Sequence, residues 1–535
     1  MMISLTHRYL AQITIEASSA FAINSGKLGL LNDNVIAKDA NGLPYLPGTS
    51  IAGVLRHSIS EEFEDEIFGS PGTSNSNDGF GSRLIISAGL MVGKEGKVIE
   101  GLEPVDFSES FYSNFNILPL RDHVKISSKG SAVKGAKYDE ELVFKGSRFV
   151  FELELKGSKD DIGTWNELLD ILSSPYFRLG AGSRKGHGEF KVVPTMSNQR
   201  VFDLRVESDL VDYLSKSVSL NQRIPRGAAL EINNVGHIPS QWKSYKLALK
   251  AKDFFLFGSG FGDGDVDQIT KKERIISWND DLPIISNEEF ILIPATSIKG
   301  ALAHRVGYNY SKLIEDFIES PKNEYAPDTE INTDGILEKL QSLIKWDTLT
   351  TETSTEVFEK LVKKIEEFDP FESSEWANFE NQLMDEKANF MKDQNSQDES
   401  NEAVKALFGF SKGSGKEHGD ESSHRGNVLI SDTYLRFNQG FEKVFNHIKI
   451  DRFTGGGIDG ALFQEKAYFG KGDSFELEVF VHTAALGDQF IKEAWENTLS
   501  DLVTGSIPLG GQVAKGHGFF SGTLNKKQDE KNTTK

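Results

Sequence analysis

Two short stretches carry the residue types that let a backbone approach an anion closely: Gly182-x-x-Lys185-Gly186-His187-Gly188 and Gly511-x-x-x-Lys515-Gly516-His517-Gly518. Glycine removes the Cβ and leaves N–H donors able to meet phosphate oxygens. Arg184, Lys185 and Lys515 add positive charge. A plain turn between a helix and a strand uses the same residues; the duplication of Lys-Gly-His-Gly favours binding over that reading. A dinucleotide-binding turn fits poorly, because no strand-loop-helix unit surrounds Gly180-Ala181-Gly182. His187 and His517 either contact phosphate or base or close the turn. A general-base role needs a positioned partner that the sequence does not reveal.

A second set is Thr49-Ser50 with Thr296-Ser297, hydroxyls that open two helical patterns. Free N–H groups at a helix start bind anions, so phosphates are expected to dock there, and N-capping explains the hydroxyls equally well. Lys299, Arg56, His57, His304 and Arg305 on the next turns extend a basic track or form a solvated face. A third set is His123-Val124-Lys125-Ile126 and His447-Ile448-Lys449-Ile450-Asp451-Arg452, where basic and apolar residues alternate. That pattern suits a ribbon that lays cations on RNA while its other face packs, and equally an ordinary amphipathic strand. Asp263, Asp265 and Asp267 imitate a calcium loop but lack the downstream glutamate, and are read as solvated.

These residues recur because the chain repeats itself. Leu46-Pro47-Gly48-Thr49-Ser50-Ile51 matches Ile293-Pro294-Ala295-Thr296-Ser297-Ile298; Ile67-Phe68-Gly69 and Arg83 to Ser87 match Leu407-Phe408-Gly409 and Asn427 to Ser431. Then come His123 to Ile126 against His447 to Ile450, and Leu179 to Phe190 against Leu509 to Phe520. Four ordered matches establish a tandem duplication. Each copy opens with alternating apolar residues (Tyr9, Ala11, Ile13, Ile15; Tyr245, Leu247, Leu249), as half-buried strands do. Strands, a helix and further strands follow, which makes each copy an α+β domain with helices on one side of a sheet. The expected layout is a first domain over 1–197, a linker over 198–240, and a second domain over 241–525. The second carries an acidic helical insertion at about 308–405, and a disordered tail occupies 526–535.

At 535 residues two cores are expected. There is no cysteine, which removes disulfides, thiolate metal sites and thiol nucleophiles, and fits a reducing cytoplasm. No run of eighteen apolar residues exists, and the first residues lead into strand-like alternation, so neither a membrane span nor a signal peptide is expected. The net charge of −21 opposes nucleic-acid binding at first sight. Residues 311 to 410, however, hold 24 acidic against 10 basic residues, so most of the excess sits in one segment.

At the Pro-Gly-Thr-Ser-Ile-x-Gly helix start, the Lys-Gly-His-Gly loops and Arg452-Phe453-Thr454-Gly455-Gly456-Gly457, the chain resembles the RAMP superfamily. More specifically it is similar to the seventh-Cas-family backbone subunits of type III CRISPR complexes, in a fused form like the double-domain subunits of type III-D. The resemblance implies two ferredoxin-like, RNA-recognition-like palms with β-hairpin thumbs, stacked along a CRISPR guide RNA beside other type III effector subunits. It also implies cleavage of guide-paired target RNA by 2′-OH attack, positioned by a loop aspartate and assisted by a divalent metal, Mg²⁺, whose ligands are not visible. By position before the helix start, Asp33 is the matching aspartate of the first copy. Asn279-Asp280-Asp281-Leu282-Pro283 resembles the family's form in the second and favours Asp281 over Asp280. Single loop aspartates are otherwise turn formers. Non-catalytic guide binding and guide processing by a sixth-Cas-family enzyme are the alternatives.

Overall fold

The structure, a computed structural model, describes residues 5–26, 35–71, 79–127, 130–231, 241–279, 281–285, 288–315, 401–410, 423–470 and 474–526. Asp33, Asp280, most of the acidic insertion and nearly all of the tail lie outside the described residues.

Each half is built on one antiparallel sheet with the same strand order. In the first half Leu84–Ile86, Arg148–Gly157 and His7–Ala17 lie side by side, and Phe190–Val192 pairs on the far edge of His7–Ala17. In the second, Val428–Ile430, Ser474–His482, Trp242–Ala251 and Phe520–Lys526 repeat that order. Helix Gly48–Arg56 or Ala295–Leu313 follows the first strand, and Ile162–Leu172 or Gln489–Thr504 follows the third. A β-α-β-β-α-β chain with its first and third strands central is the ferredoxin-like topology. The expected α+β fold and its duplication are therefore present.

The packing repeats as well. Tyr9 meets Trp165 at a ring separation of 5.8 Å and Tyr245 meets Trp495 at 6.0 Å, each pair joining the central strand to the second helix. Both tryptophans are fully buried in separate cores. Aromatic pairs of this kind add about 0.5–1.5 kcal/mol beyond the area they bury.

Two expectations need correction. The span 198–231 is not a bare linker: Asn198–Asp203 pairs with His7–Gln12 and extends the first sheet. For the same reason the opening strand is buried on both faces, since Leu10 packs with Phe202 and Ile224 on the side opposite the main core. Helix Gly48–Arg56 starts two residues earlier than a threonine cap at Thr49 would require, and three earlier than a serine cap at Ser50. Pro47 occupies the cap position, Pro294 does so in the second half, and neither helix has a side-chain cap. Among the described residues no helix is long and apolar enough to cross a membrane.

Candidate nucleic-acid interface

Between the second and third core strands each half inserts a hairpin, Leu120–Ile126 with Ala132–Glu141 and Glu442–Ile450 with Gly457–Phe469. Their registers are equivalent: Arg121 faces Glu140 as Phe445 faces Glu465, and His123 faces Tyr138 as His447 faces Phe463. These are the expected thumbs. Their outer parts expose both charge and apolar surface, with Lys125, Lys449 and Arg452 exposed and Phe453 99% exposed at the second tip.

The glycine loops close onto these hairpins. In the first half His123 Nε2 lies 2.7 Å and His187 Nδ1 3.4 Å from Glu140 Oε1. In the second, His447 Nε2 lies 3.0 Å and His517 Nε2 3.3 Å from Glu465 Oε1. A buried glutamate thus staples loop to hairpin twice. Burial raises the Glu140 pKa, but the His123 hydrogen bond and the His187 and Lys185 charges outweigh it and pull it down to about 2. Burial lowers His187 to about 4, so that ring is neutral at pH 7.

His123, Glu140 and His187 are close enough to suggest a metal centre. Protonation argues otherwise. Arg121, which can only donate, points Nη1 at His187 Nε2 from 3.1 Å. The neutral ring then carries its proton on Nδ1, facing Glu140, and no lone pair remains for a metal on that side.

The first glycine loop meets the second half of the chain. A Cβ on Gly186 (φ +103°) would lie 2.3 Å from that of Ala295, the first residue of the second half's helix. Gly186 therefore makes room for protein, not for the phosphate expected there. Gly516, its counterpart, has nothing within 4 Å. Around Gly186 a polar joint seals the two halves. Arg121 donates Nε and Nη2 to Glu273 at 2.7 Å each, Nη1 to Asp432, and Nη2 to Tyr434 Oη at 3.0 Å. Arg178 donates to Ser431 Oγ at 2.7 Å and Arg184 to the Gly426 carbonyl at 2.6 Å. Lys299 turns inward to the Arg184 carbonyl; burial and the neighbouring Arg184 and Lys185 charges lower its pKa to about 8. Arg184 and Lys299 thus serve the joint, and His187 at 1% exposure is closed to solvent.

The remaining expected contacts divide. Thr49, Ser50, Thr296 and Ser297 lie in the first turns of their helices, and Thr49 is exposed. Arg56 is taken up by Glu64 and Asp65. Lys185 and Lys515 sit over Tyr138 and Phe463, 4.5 Å and 5.1 Å from the ring centres. Gly182 and Gly511 shape their loops; Gly182 (φ +72°) has left-handed Gln512 (φ 58°) as its counterpart.

The aspartate loops show a register the sequence reading missed. Ile36 bridges Asn24 as Thr270 bridges Gly258, and Lys38 bridges Pro44 as Lys272 pairs with Ile291. Counting back three residues from Ile36 and Thr270 pairs Asp33 with Asp267, not with Asp281. Asp281 belongs to a separate hairpin, Ile276–Asn279 with Leu282–Ile285, which replaces the Asp39–Gly42 turn of the first half. That hairpin straps the first half: Ile276 joins its core, Trp278 donates to the Gly146 carbonyl at 2.6 Å, and Asp281 lies beside Gly96.

The loop over Gly260 to Asp267 instead runs between the two thumbs. Phe261 lies under Lys137 of the first hairpin, with Nζ 4.9 Å from the ring centre, and Asp122 abuts Gly260. Asp263 pairs with Lys466 of the second hairpin, and Asp267 Oδ2 accepts the Gln464 N–H at 2.7 Å. The Asp265 side chain, 85% exposed, points outward with Lys466 3.7 Å away.

A family model matches residues 14–191 and 258–521, well over half of the chain, and its description is the RAMP superfamily. The chain belongs to the RAMP superfamily. Both matched regions fall on the two ferredoxin-like halves, so this is a tandem RAMP protein, and at that level a CRISPR-associated RNA-binding one. No curated protein matches the sequence.

Several residues of the RAMP halves escaped sequence reading: Arg121, Glu140, Glu273, Asp432, Tyr434 and Glu465. Only Glu140 and Glu465 left a trace, by standing at equivalent places opposite the two hairpin strands.

Proposed function

We propose that this RAMP protein is a guide-RNA-binding backbone subunit of a type III CRISPR ribonucleoprotein, and that it cuts target RNA paired to the guide. The observation that carries the reading is the acidic loop over Gly260 to Asp267, held between two cation-bearing hairpins. Duplex RNA lying across exposed Lys125, Lys449 and Arg452 would pass over the Asp265 carboxylate. RNA scission by its own 2′-OH needs that hydroxyl oriented in line with the departing 5′ oxygen. A loop carboxylate can hold it there by accepting its proton in a hydrogen bond, and the lysines offset phosphate charge.

The donor set fits Mg²⁺ rather than a soft metal, because the exposed side chain of this loop is a carboxylate. Asp265 would be the residue that holds the ion. When bound, it would supply charge neutralisation at the phosphate.

Purified complex carrying its guide, incubated with complementary RNA, tests this. Asp33→Ala should remove individual cuts while guide retention is unchanged, and so should Asp265→Ala, the exposed carboxylate of the second loop, or Asp267→Ala, the register counterpart of Asp33; Asp281→Ala tests the strap hairpin in the same assay. Unchanged product ladders in all four variants would overturn the catalytic reading. A purely structural guide-binding role would then stand, and the commitment of Asp263 and Asp267 to the second hairpin favours it. Processing of repeat RNA by histidine chemistry is disfavoured, since His187 and His517 are both buried against glutamates.

A further inference from the structure

Residues 198–231 lie outside both RAMP regions and cap the outer face of the first sheet, opposite the main core. Strand Asn198–Asp203 pairs with His7–Gln12, Phe202 and Ile224 bury Leu10, and helix Glu207–Ser215 follows. The second sheet ends on Phe520–Lys526 and has no counterpart of this cap among the described residues.

The cap helix is seated the wrong way round for a surface helix, which ordinarily buries its apolar face. Its polar residues face the protein. Asp209 and Asp212 accept from Arg200 at 2.7 and 2.6 Å, Tyr213 Oη donates to Glu154 at 2.7 Å, and Lys216 donates to Glu152 at 2.9 Å. Asp212 also pairs with Arg226, and Asp203 with Arg205. The apolar residues Val206, Leu210, Val211, Leu214 and, just past the helix, Val218 are exposed at helical spacing, Leu214 by 73% and Val218 by 95%. Exposed apolar side chains scattered singly are ordinary; five in one stripe, turned outward by ion pairs on the other side, mark a contact surface.

Charge selects the occupant. The aspartates and arginines beside the stripe are paired within the cap, so it offers little to a nucleic acid or a charged partner. The chain carries −21 overall, and two copies repel except where a locally neutral surface meets its like. We propose that this stripe packs on the same stripe of a second copy of this chain, about a two-fold axis that runs the two cap helices antiparallel. An isologous contact needs only one self-complementary patch. Leu210 of each copy then lies by Leu214 of the other, Val206 by Val218, and the two Glu207 carboxylates stay at opposite ends. Five side chains make a small patch beside the roughly 800 Å² per partner of a standard interface, so the dimer is weak and reversible. The contact does not depend on the cleavage reading.

Sedimentation velocity of the full chain without RNA, across a concentration series, tests it. The wild type should show a reversible monomer–dimer equilibrium. Leu214→Glu and Val211→Glu should each weaken dimerisation by at least about tenfold, with the thermal unfolding midpoint unchanged because both side chains are exposed. The chain has no cysteine, so Val211→Cys and Val218→Cys each supply a single thiol. Under mild oxidation Val211→Cys, near the axis, should form an interchain disulfide, and Val218→Cys, at the end of the stripe, should form several-fold less. A wild type that stays monomeric at every concentration, a Leu214→Glu chain that dimerises like the wild type, or a Val218→Cys chain that cross-links as readily as Val211→Cys would overturn the proposal.

Discussion

Arg121 of the first half grips Glu273 of the second in a two-point fork, Nε to Oε1 and Nη2 to Oε2, each 2.7 Å, with both side chains buried. Asp432 and Tyr434 complete the shell around the guanidinium. Burial lowers its pKa, and the Asp432 and Glu273 charges more than reverse this and hold it well above the ordinary arginine value. The joint between the halves is therefore electrostatic at its centre. Truncating one member should destabilise more than replacing the whole cluster with apolar groups.

Arg121→Ala is expected to cost about 3–5 kcal/mol, because Glu273 and Asp432 stay buried without their cation. Chemical denaturation checks this. Arg121→Lys should recover only part, since an ammonium cannot make the fork. A loss under about 1 kcal/mol would mean that the carboxylates reach solvent.

Gly186→Ala should disrupt the joint, because its Cβ would sit 2.3 Å from Ala295 at a φ of +103°. Gly516→Ala faces open space at a φ of +92° and should cost only the left-handed backbone penalty, about 1–2 kcal/mol. Comparing the two unfolding midpoints separates crowding from strain.

Lowering the pH should loosen the first half's staple. The folded His187 pKa of about 4 lies below its ordinary 6.5, so the unfolded chain binds more protons between those values. Its contribution is complete above pH 6.5 and is lost as pH falls toward 4. Glu140, lowered to about 2 from 4.5, contributes above pH 4.5 and loses that below it. Arg121, Asp432, Glu140 and His123 surround the ring. The wild-type melting temperature should therefore fall between pH 6.5 and 4.5, and His187→Gln should flatten that slope.

Lys449→Ala and Arg452→Ala, both at exposed positions of the second hairpin, should each weaken RNA binding with little dependence on sequence. Each should also reduce the slope of log affinity against log salt by about 0.7. Fluorescence anisotropy of the guide-length RNA at several salt concentrations measures both. An unchanged slope would remove the hairpin from the phosphate path.

The order of the matched blocks was enough to reveal the duplication, the α+β class and the two hairpins, because apolar alternation and glycine placement are local properties of a strand or turn. It also located Lys-Gly-His-Gly as a shared loop. What that loop faces was invisible, since Ala295 and Asp432 lie far from Gly186 in the chain. Nor could local pattern find the Arg121 cluster, whose partners Glu273 and Asp432 are 152 and 311 residues away.

The aspartates show the same division. Sequence spacing before the helix start paired Asp33 with Asp281, because both stand in a loop ahead of the same motif. Counting back along the sequence from the bridges at Ile36 and Thr270 makes Asp267, not Asp281, the counterpart of Asp33, and the strap hairpin accounts for the extra residues in between. Strand register depends on which backbone groups meet across a sheet, and an insertion changes spacing without changing register. Composition and repeat thus determined what kind of halves these are; tertiary pairing alone decided which charges are sealed between them and which face is left open.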